Sequence, residues 1–398
     1  MSAEAGGGAA PAVLWRWDSE WPADTAEFCP TPPYRHLLLC GTYRLREDQP
    51  ADIPPEECQR DGRLHLLDCG RRHELQRLDT AAVLDVKWSP APVGGQPLVV
   101  AADARGRLLM FRLTDAETGP RLEPVASRAV AEPGRLALAL EWFLPAVGPA
   151  RLAVSDSSGA VTVLQLAEEG RELTVLWTNV CHGHEAWTCG FKHSDGNVVY
   201  TGGDDLLFRG YDIRLDPACP VFTNRSHEAG VTSVQSDYLT EHTLRTGSYD
   251  EHLYTWDDRA MRRPLERAPL PGGVWRIKRH SRRADHVLTA CMYGGSHVTD
   301  AAGAVVASFL EHKSIVYGAD WCRLDGGGGG EEKVDMTPAT DSSATGDDSN
   351  AAGDAAGDGS DVVNGDGDTE RQRECSSGDT SVAVTCSFYD HLLCLWEI

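Results

Sequence analysis

The sequence predicts an all-β fold, a seven-bladed ring of four-stranded sheets, and three observations carry that expectation. The first is an internal repeat. Residues 182–214 read HGHEAWTCGFKHSDGNVVYTGGDDLLFRGYDIR, and residues 227–259 read HEAGVTSVQSDYLTEHTLRTGSYDEHLYTWDDR. His184 aligns with His227, Gly203 with Ser248, Asp205 with Asp250, and Tyr211-Asp212 with Trp256-Asp257, at offsets of 43 to 45 residues. A period of that length closing on a Trp-Asp pair is the signature of WD-repeat β-propeller blades. The second is a first-strand pattern, apolar at positions one, four and six, that recurs seven times. It runs through Ala23, Ala26 and Phe28; Val83, Val86 and Trp88; Ala137, Leu140 and Trp142; and Ala186, Cys189 and Phe191. It continues through Val231, Val234 and Ser236; Val274, Ile277 and Arg279, a poor fit at its end; and Val316, Ala319 and Trp321. The third is that long helix-period apolar runs are missing, while short apolar strands between Gly, Asp and Ser turns dominate.

Each element follows from these. The sixth positions are spaced 60, 54, 49, 45, 43 and 42 residues apart, so the early blades carry longer loops. Residues 45–62, rich in proline and acid, read as one of them. Second and third strands follow each first strand. In blade 7 they are residues 381–390 and 391–398, separated from the first strand near Trp321 by a Gly-, Asp- and Ser-rich stretch. His312 and Asp390 are 78 residues apart, and leaving out the 54 residues from 325 to 378 restores 24, an ordinary blade. The expected organisation is a flexible start over 1–12, a propeller over 13–324 and 379–398, and a disordered acidic insertion over 325–378. The chain ends on a third strand, so residues 13–19 are expected to supply the missing outer strand and close the ring.

Charge and cysteine usage bound the function. The net charge is −23, and residues 331–370 hold twelve acids against one base, Lys333. Such a field disfavours nucleic acid and membrane surfaces and favours a basic partner. The 12 cysteines contain no Cys-x-x-Cys pair, which argues against zinc and suits a reducing compartment. The start of the chain lacks a basic stretch before an apolar run, and the longest apolar stretch, 136–147, is interrupted by Glu141. A cytoplasmic monomer without membrane contact is therefore expected, and nothing implies a cofactor or a metal.

Two sets of side chains could carry function. His184, His227 and His312 precede first strands, and Asp205, Asp250 and Asp390 follow second strands. With Thr201, Thr246 and Ser387 they suit hydrogen-bonded sets inside blades, although a His beside a carboxylate could also serve as a general base. The second position of each first strand holds Asp24, Leu84, Leu138, Trp187, Thr232, Trp275 and Tyr317. Strict alternation would pack these between blades. The alternative is an aromatic cluster with an acid at the channel mouth, able to hold a cation. No Gly-x-Ser-x-Gly elbow, His-Glu-x-x-His or phosphate loop is present, so motifs alone describe a binding platform.

More specific phrases are ADTAEFCP (23–30), HEAWTCGF (184–191), GSYDEHLYTWDDR (247–259), GGVWRIK (272–278), ACMYGG (290–295), HKSIVYGADW (312–321) and TCSFYDHLLCLW (385–396). Through these the chain resembles the WD-repeat family of the diphthamide pathway, the diphthine methyl ester hydrolases, also called diphthine methyltransferases. The resemblance implies a carboxylic ester hydrolase that demethylates diphthine methyl ester on elongation factor 2, with other diphthamide-pathway proteins as further partners. The intermediate also carries a trimethylammonium group, for which Trp187, Trp275, Tyr317 and Asp24 are the implied binding residues. His184, Glu185, Asp205, His227 and Asp250 are the candidate catalytic residues, and Cys291 and Ser387 are candidate nucleophiles if water does not attack directly. The alternative is a non-catalytic scaffold presenting modified elongation factor 2 to other enzymes.

Overall fold

A computed structural model of the chain describes residues 11–46, 49, 59–323 and 380–398. Over these residues the backbone forms seven antiparallel sheets arranged as the blades of a propeller. Blade 1 comprises Ala23–Phe28, Leu37–Thr42, Arg60–Asp68 and His73–Ala81; blade 2, Val83–Trp88, Leu98–Asp103, Arg107–Ala116 and Gly119–Ala129. Blade 3 comprises Ala137–Phe143, Arg151–Asp156, Ala160–Leu166 and Leu173–Val180; blade 4, Thr188–Lys192, Asp195–Gly202, Phe208–Asp212 and Phe222–Asn224. Blade 5 comprises Val231–Ser236, Thr243–Ser248, His252–Asp257 and Glu266–Pro269; blade 6, Arg276–Arg279, Val287–Ala290, Ser296–Thr299 and Val305–Phe309. Blade 7 takes Val316–Trp321, Val382–Ser387 and Leu392–Glu397 from one end of the chain and Ala12–Asp18 from the other.

The seven-bladed ring and its closure are as the sequence predicts. Val13 pairs with Trp396 and Asp18 with Leu392, which removes two open edges. Two local expectations need correction. Ala12, expected in the flexible start, pairs with Glu397. The proline-rich segment begins and ends in ladder: Arg44–Leu45 pairs with Arg60–Asp61, because a loop leaving and re-entering one sheet can continue its hydrogen bonds. The proposed acidic insertion and most of the flexible start lie outside the described residues.

Cores form between blades rather than at one centre. At the seam, Leu14 joins Ala26, Phe28, Cys40, Cys386, Leu393 and Leu395, with Trp15 and Trp17 packed against them. The close approach of blades 7 and 1 requires Gly318, where a Cβ would meet the Cys386 sulfur and the backbone at Thr25 and Ala26.

Within blades, hydroxyls knit the strands. In blade 5, Trp256 Nε1 donates to Thr246 Oγ1 at 2.8 Å, and the same hydroxyl meets His227 Nε2 at 3.0 Å. Blade 7 repeats this with Trp396, Thr385 and His312, at 3.1 and 2.8 Å, so Thr385 holds the place that the sequence reading gave to Ser387. Ser387 instead bridges His312 Nδ1, at 2.7 Å, and Asp390. In blade 4 the histidine is His182, not His184: its Nε2 meets Thr201 at 2.9 Å and its Nδ1 meets Asp205 at 2.8 Å. His184 lies on the exposed turn after it.

Two stability effects follow. Thr246→Val leaves His227 and Trp256 buried without their shared partner, so urea unfolding is expected to register a loss of about 1–3 kcal/mol. Burial also holds His312 down to about 4. The unfolded chain takes up that proton near pH 6.5, so the stability His312 contributes is complete above 6.5 and is lost as pH falls from there through 4. The urea midpoint is expected to fall over that window, and His312→Gln to flatten the fall.

Candidate functional site

The second position of the first strand is turned by a bulge. The inner pair of strands slips register between Ala23 and Thr25, Val83 and Asp85, Ala137 and Ala139, Val231 and Ser233, and Val316 and Gly318. In blades 4 and 6 the ladder begins only at Thr188 and Arg276, after Trp187 and Trp275. A bulge breaks the two-residue alternation and re-aims one side chain. Asp24, Leu84, Leu138, Trp187, Thr232, Trp275 and Tyr317 consequently all line one cavity of about 1000 Å³ at the mouth of the central channel. The alternation reading, which packed them between blades, fails for this reason.

One wall of the cavity is aromatic. Trp275 is its centre, with ring centroids 5.6 Å from Trp187, 6.1 Å from Tyr249 and 4.7 Å from Tyr317. Tyr317 continues to Phe388 at 5.5 Å, and Phe388 to Tyr43 at 5.8 Å. Trp187 is oriented by its Nε1, which donates to Asp204 at 3.0 Å. Tilted and edge-to-face rings leave faces free for a guest while supporting one another.

The floor is charged. Asp24 is 6% exposed, and burial pushes its carboxyl up to about 8, against the pull of Arg276 and with the push of Asp85. Arg276 stands 3.2 Å from Asp85. Asp85 also receives Lys87 at 2.9 Å and the Leu140 amide at 3.1 Å, and despite burial Arg276 and Lys87 hold it below the usual carboxylate range. Deeper in the channel Lys278 bonds Glu27 at 2.8 Å and lies 3.5 Å from Asp320. The cavity lining also carries Arg44, Arg46, Arg60 and Arg135. Trp21 is clasped between the guanidinium groups of Arg44 and Arg63, each 3.8 Å from the ring centroid.

The sequence-predicted residues divide into two groups. Trp187, Trp275, Tyr317 and Asp24 lie together on the cavity, and Glu185 lies on its edge. His227 and Asp250 lie inside blade 5, their nitrogen and oxygen 3.6 Å apart, and Asp205 accepts from blade 4 backbone amides beside His182; none of these lines the cavity. Cys291 and Ser387 are fully buried off it, and burial lifts the Cys291 thiol to about 12, far from a nucleophile's range. Arg276, Tyr249 and Phe388 belong to the site but were not singled out from sequence. Arg276 follows the tryptophan of GGVWRIK, and its charge inside a first strand was the available signal. Among the described residues no group of three or more His, Cys, Asp or Glu side chains is placed to hold a metal ion, and no helix is long and apolar enough to cross a membrane.

Comparison with known proteins assigns the family. No family model matches the chain. Diphthine methyltransferase of Mus musculus is 35% identical over 97% of this chain and 93% of its own length. The Homo sapiens protein of that name is 40% identical over 77% and 74%, and that of Schizosaccharomyces pombe 30% over 77% and 90%. The chain belongs to the diphthine methyltransferase family. Membership supports a role in diphthamide biosynthesis, as a methyl-modifying enzyme. The fold is shared more widely: a chain in a crystal structure of the mitotic checkpoint complex superposes with a TM-score of 0.62 over 100% of this chain and 96% of its own, at 12% identity.

Proposed function

We propose that the protein is a methylesterase that converts diphthine methyl ester on elongation factor 2 to diphthine in the cytoplasm. The observation that carries this reading is the wall formed by Trp187, Trp275 and Tyr317 above Asp24. A quaternary ammonium cannot donate hydrogen bonds, so aromatic faces and negative field are what can recognise it. The methyl ester masks a carboxylate, which leaves the substrate head a cation. Hydrolysis turns that cation into a zwitterion.

Ester hydrolysis requires water, a base and a donor for the oxyanion. An open cavity of about 1000 Å³ admits both the side chain and water. The modified residue would arrive on a folded partner, and the acidic surface, in a chain of net charge −23, suits a basic one. The test is methanol release from methylated elongation factor 2 by the purified full-length chain. One methanol per modified factor is expected. No methanol, with the factor bound, would replace the hydrolase by the scaffold.

A further inference from the structure

Asp24 is the one carboxyl on the cavity floor without a bond to hold it. Among the described residues its carboxyl has no hydrogen bond and no cation within 4.0 Å, whereas Asp85 beneath it is held by Thr25, Lys87, Arg276 and two backbone amides. A buried carboxyl without a partner is costly, and such groups cluster at functional sites. Arg276 lies next to it on the same floor, fixed from behind by Asp85 and with its front on the cavity.

Resting on the hydrolase reading, we propose that Asp24 is the general base of the ester hydrolysis, that Arg276 holds the oxyanion, and that Asp85 is the positioning residue behind Arg276. The Asp24 carboxylate takes a proton from water while the water oxygen bonds to the ester carbonyl carbon. The carbonyl π pair moves onto its oxygen, which the Arg276 guanidinium receives. Collapse re-forms the C=O bond and breaks the bond between the former carbonyl carbon and the methoxy oxygen. The departing methoxide takes the proton back from Asp24 and leaves as methanol. The new carboxylic acid loses its proton to solvent.

The groups that face Asp24 set its titration. They are Asp85 from blade 2, Tyr317 from blade 7, Cys40 from the neighbouring strand of blade 1, and Arg276 from blade 6, with burial the largest influence. In the empty cavity the carboxyl titrates near 8, so at neutral pH it is mostly protonated. A quaternary ammonium held by the aromatic wall favours the charged form. Substrate entry thus produces the base that the substrate needs.

The experiment is methanol release from methylated elongation factor 2 between about pH 6 and 9.5, with the full chain, Asp24→Asn, Asp24→Glu and Arg276→Gln. For the unaltered chain, kcat/KM is expected to rise with pH through about 8 and then level, with kcat levelling at lower pH. Asp24→Asn should lower kcat roughly 10²–10⁴-fold, raise KM through loss of the negative field, and erase the inflection. Asp24→Glu should restore part of the rate with a moved inflection, and Arg276→Gln should lower kcat and move the inflection up. Should Asp24→Asn fold poorly, the inflection of the unaltered chain and its movement in Arg276→Gln decide. A rate in folded Asp24→Asn within threefold of the unaltered chain, or a profile that falls through pH 8, would overturn Asp24 as base and leave the hydrolase intact. No methanol from the unaltered chain would remove both.

Discussion

Trp275→Ala is expected to weaken the binding of tetramethylammonium about 100-fold, measured by calorimetry on the full chain. A desolvated cation–π contact contributes about 2 kcal/mol. Trp275 also props three other rings, at 5.6, 6.1 and 4.7 Å, and such pairs contribute about 0.5–1.5 kcal/mol each. The lost face, with only part of the ring order passing into binding, comes to about 2.7 kcal/mol, or two powers of ten. Trp275→Phe should fall between the two. The variant should stay folded, because Trp275 borders a cavity rather than filling a core, but melt a few degrees lower through the lost ring contacts. Unchanged affinity in a folded Trp187→Ala/Trp275→Ala double variant would show that the aromatic wall does not hold the cation.

Removing residues 11–18 is expected to cost about 4–6 kcal/mol of stability, from burial of one leucine, two half-buried tryptophans and the valine beside them. Leu14 sits in the seam core with Trp15 and Trp17 against it, and Val13 packs on the neighbouring core. Total stabilities of about 5–15 kcal/mol make that a large fraction. Truncation also exposes the Leu392–Glu397 edge to other chains. Urea unfolding and size-exclusion chromatography of the truncated chain check this. A midpoint like that of the full chain would mean that closure contributes little.

Much of the fold was legible because a propeller writes its architecture locally. First strands, turn residues and Trp-Asp ends recur at blade period, and a final strand without a partner requires one from the other end. The site was legible in part. The second-position residues could be named, but their direction depends on a bulge, and a bulge between Ala23 and Thr25 leaves no mark in an alternation pattern. The histidine assignment in blade 4 failed on alignment. A constant offset of 45 residues pairs His182, not His184, with His227, just as it pairs Asp205 with Asp250. Tyr211 replaces the tryptophan there and sends its hydroxyl to the Cys181 carbonyl at 3.5 Å, which weakened the motif. The ion network of Asp85, Lys87, Glu27 and Lys278 could not be read, because its members come from three blades and meet only when the ring closes.

The central claim is that the mouth of the channel is a receptor for a quaternary ammonium group. A crystal structure of the full chain with tetramethylammonium tests it most directly. The account predicts the cation within about 6 Å of the ring centroids of Trp187, Trp275 and Tyr317, on the Asp24 side of the cavity. A cation found only elsewhere on the molecule, with this cavity free of it at saturation, would contradict the account.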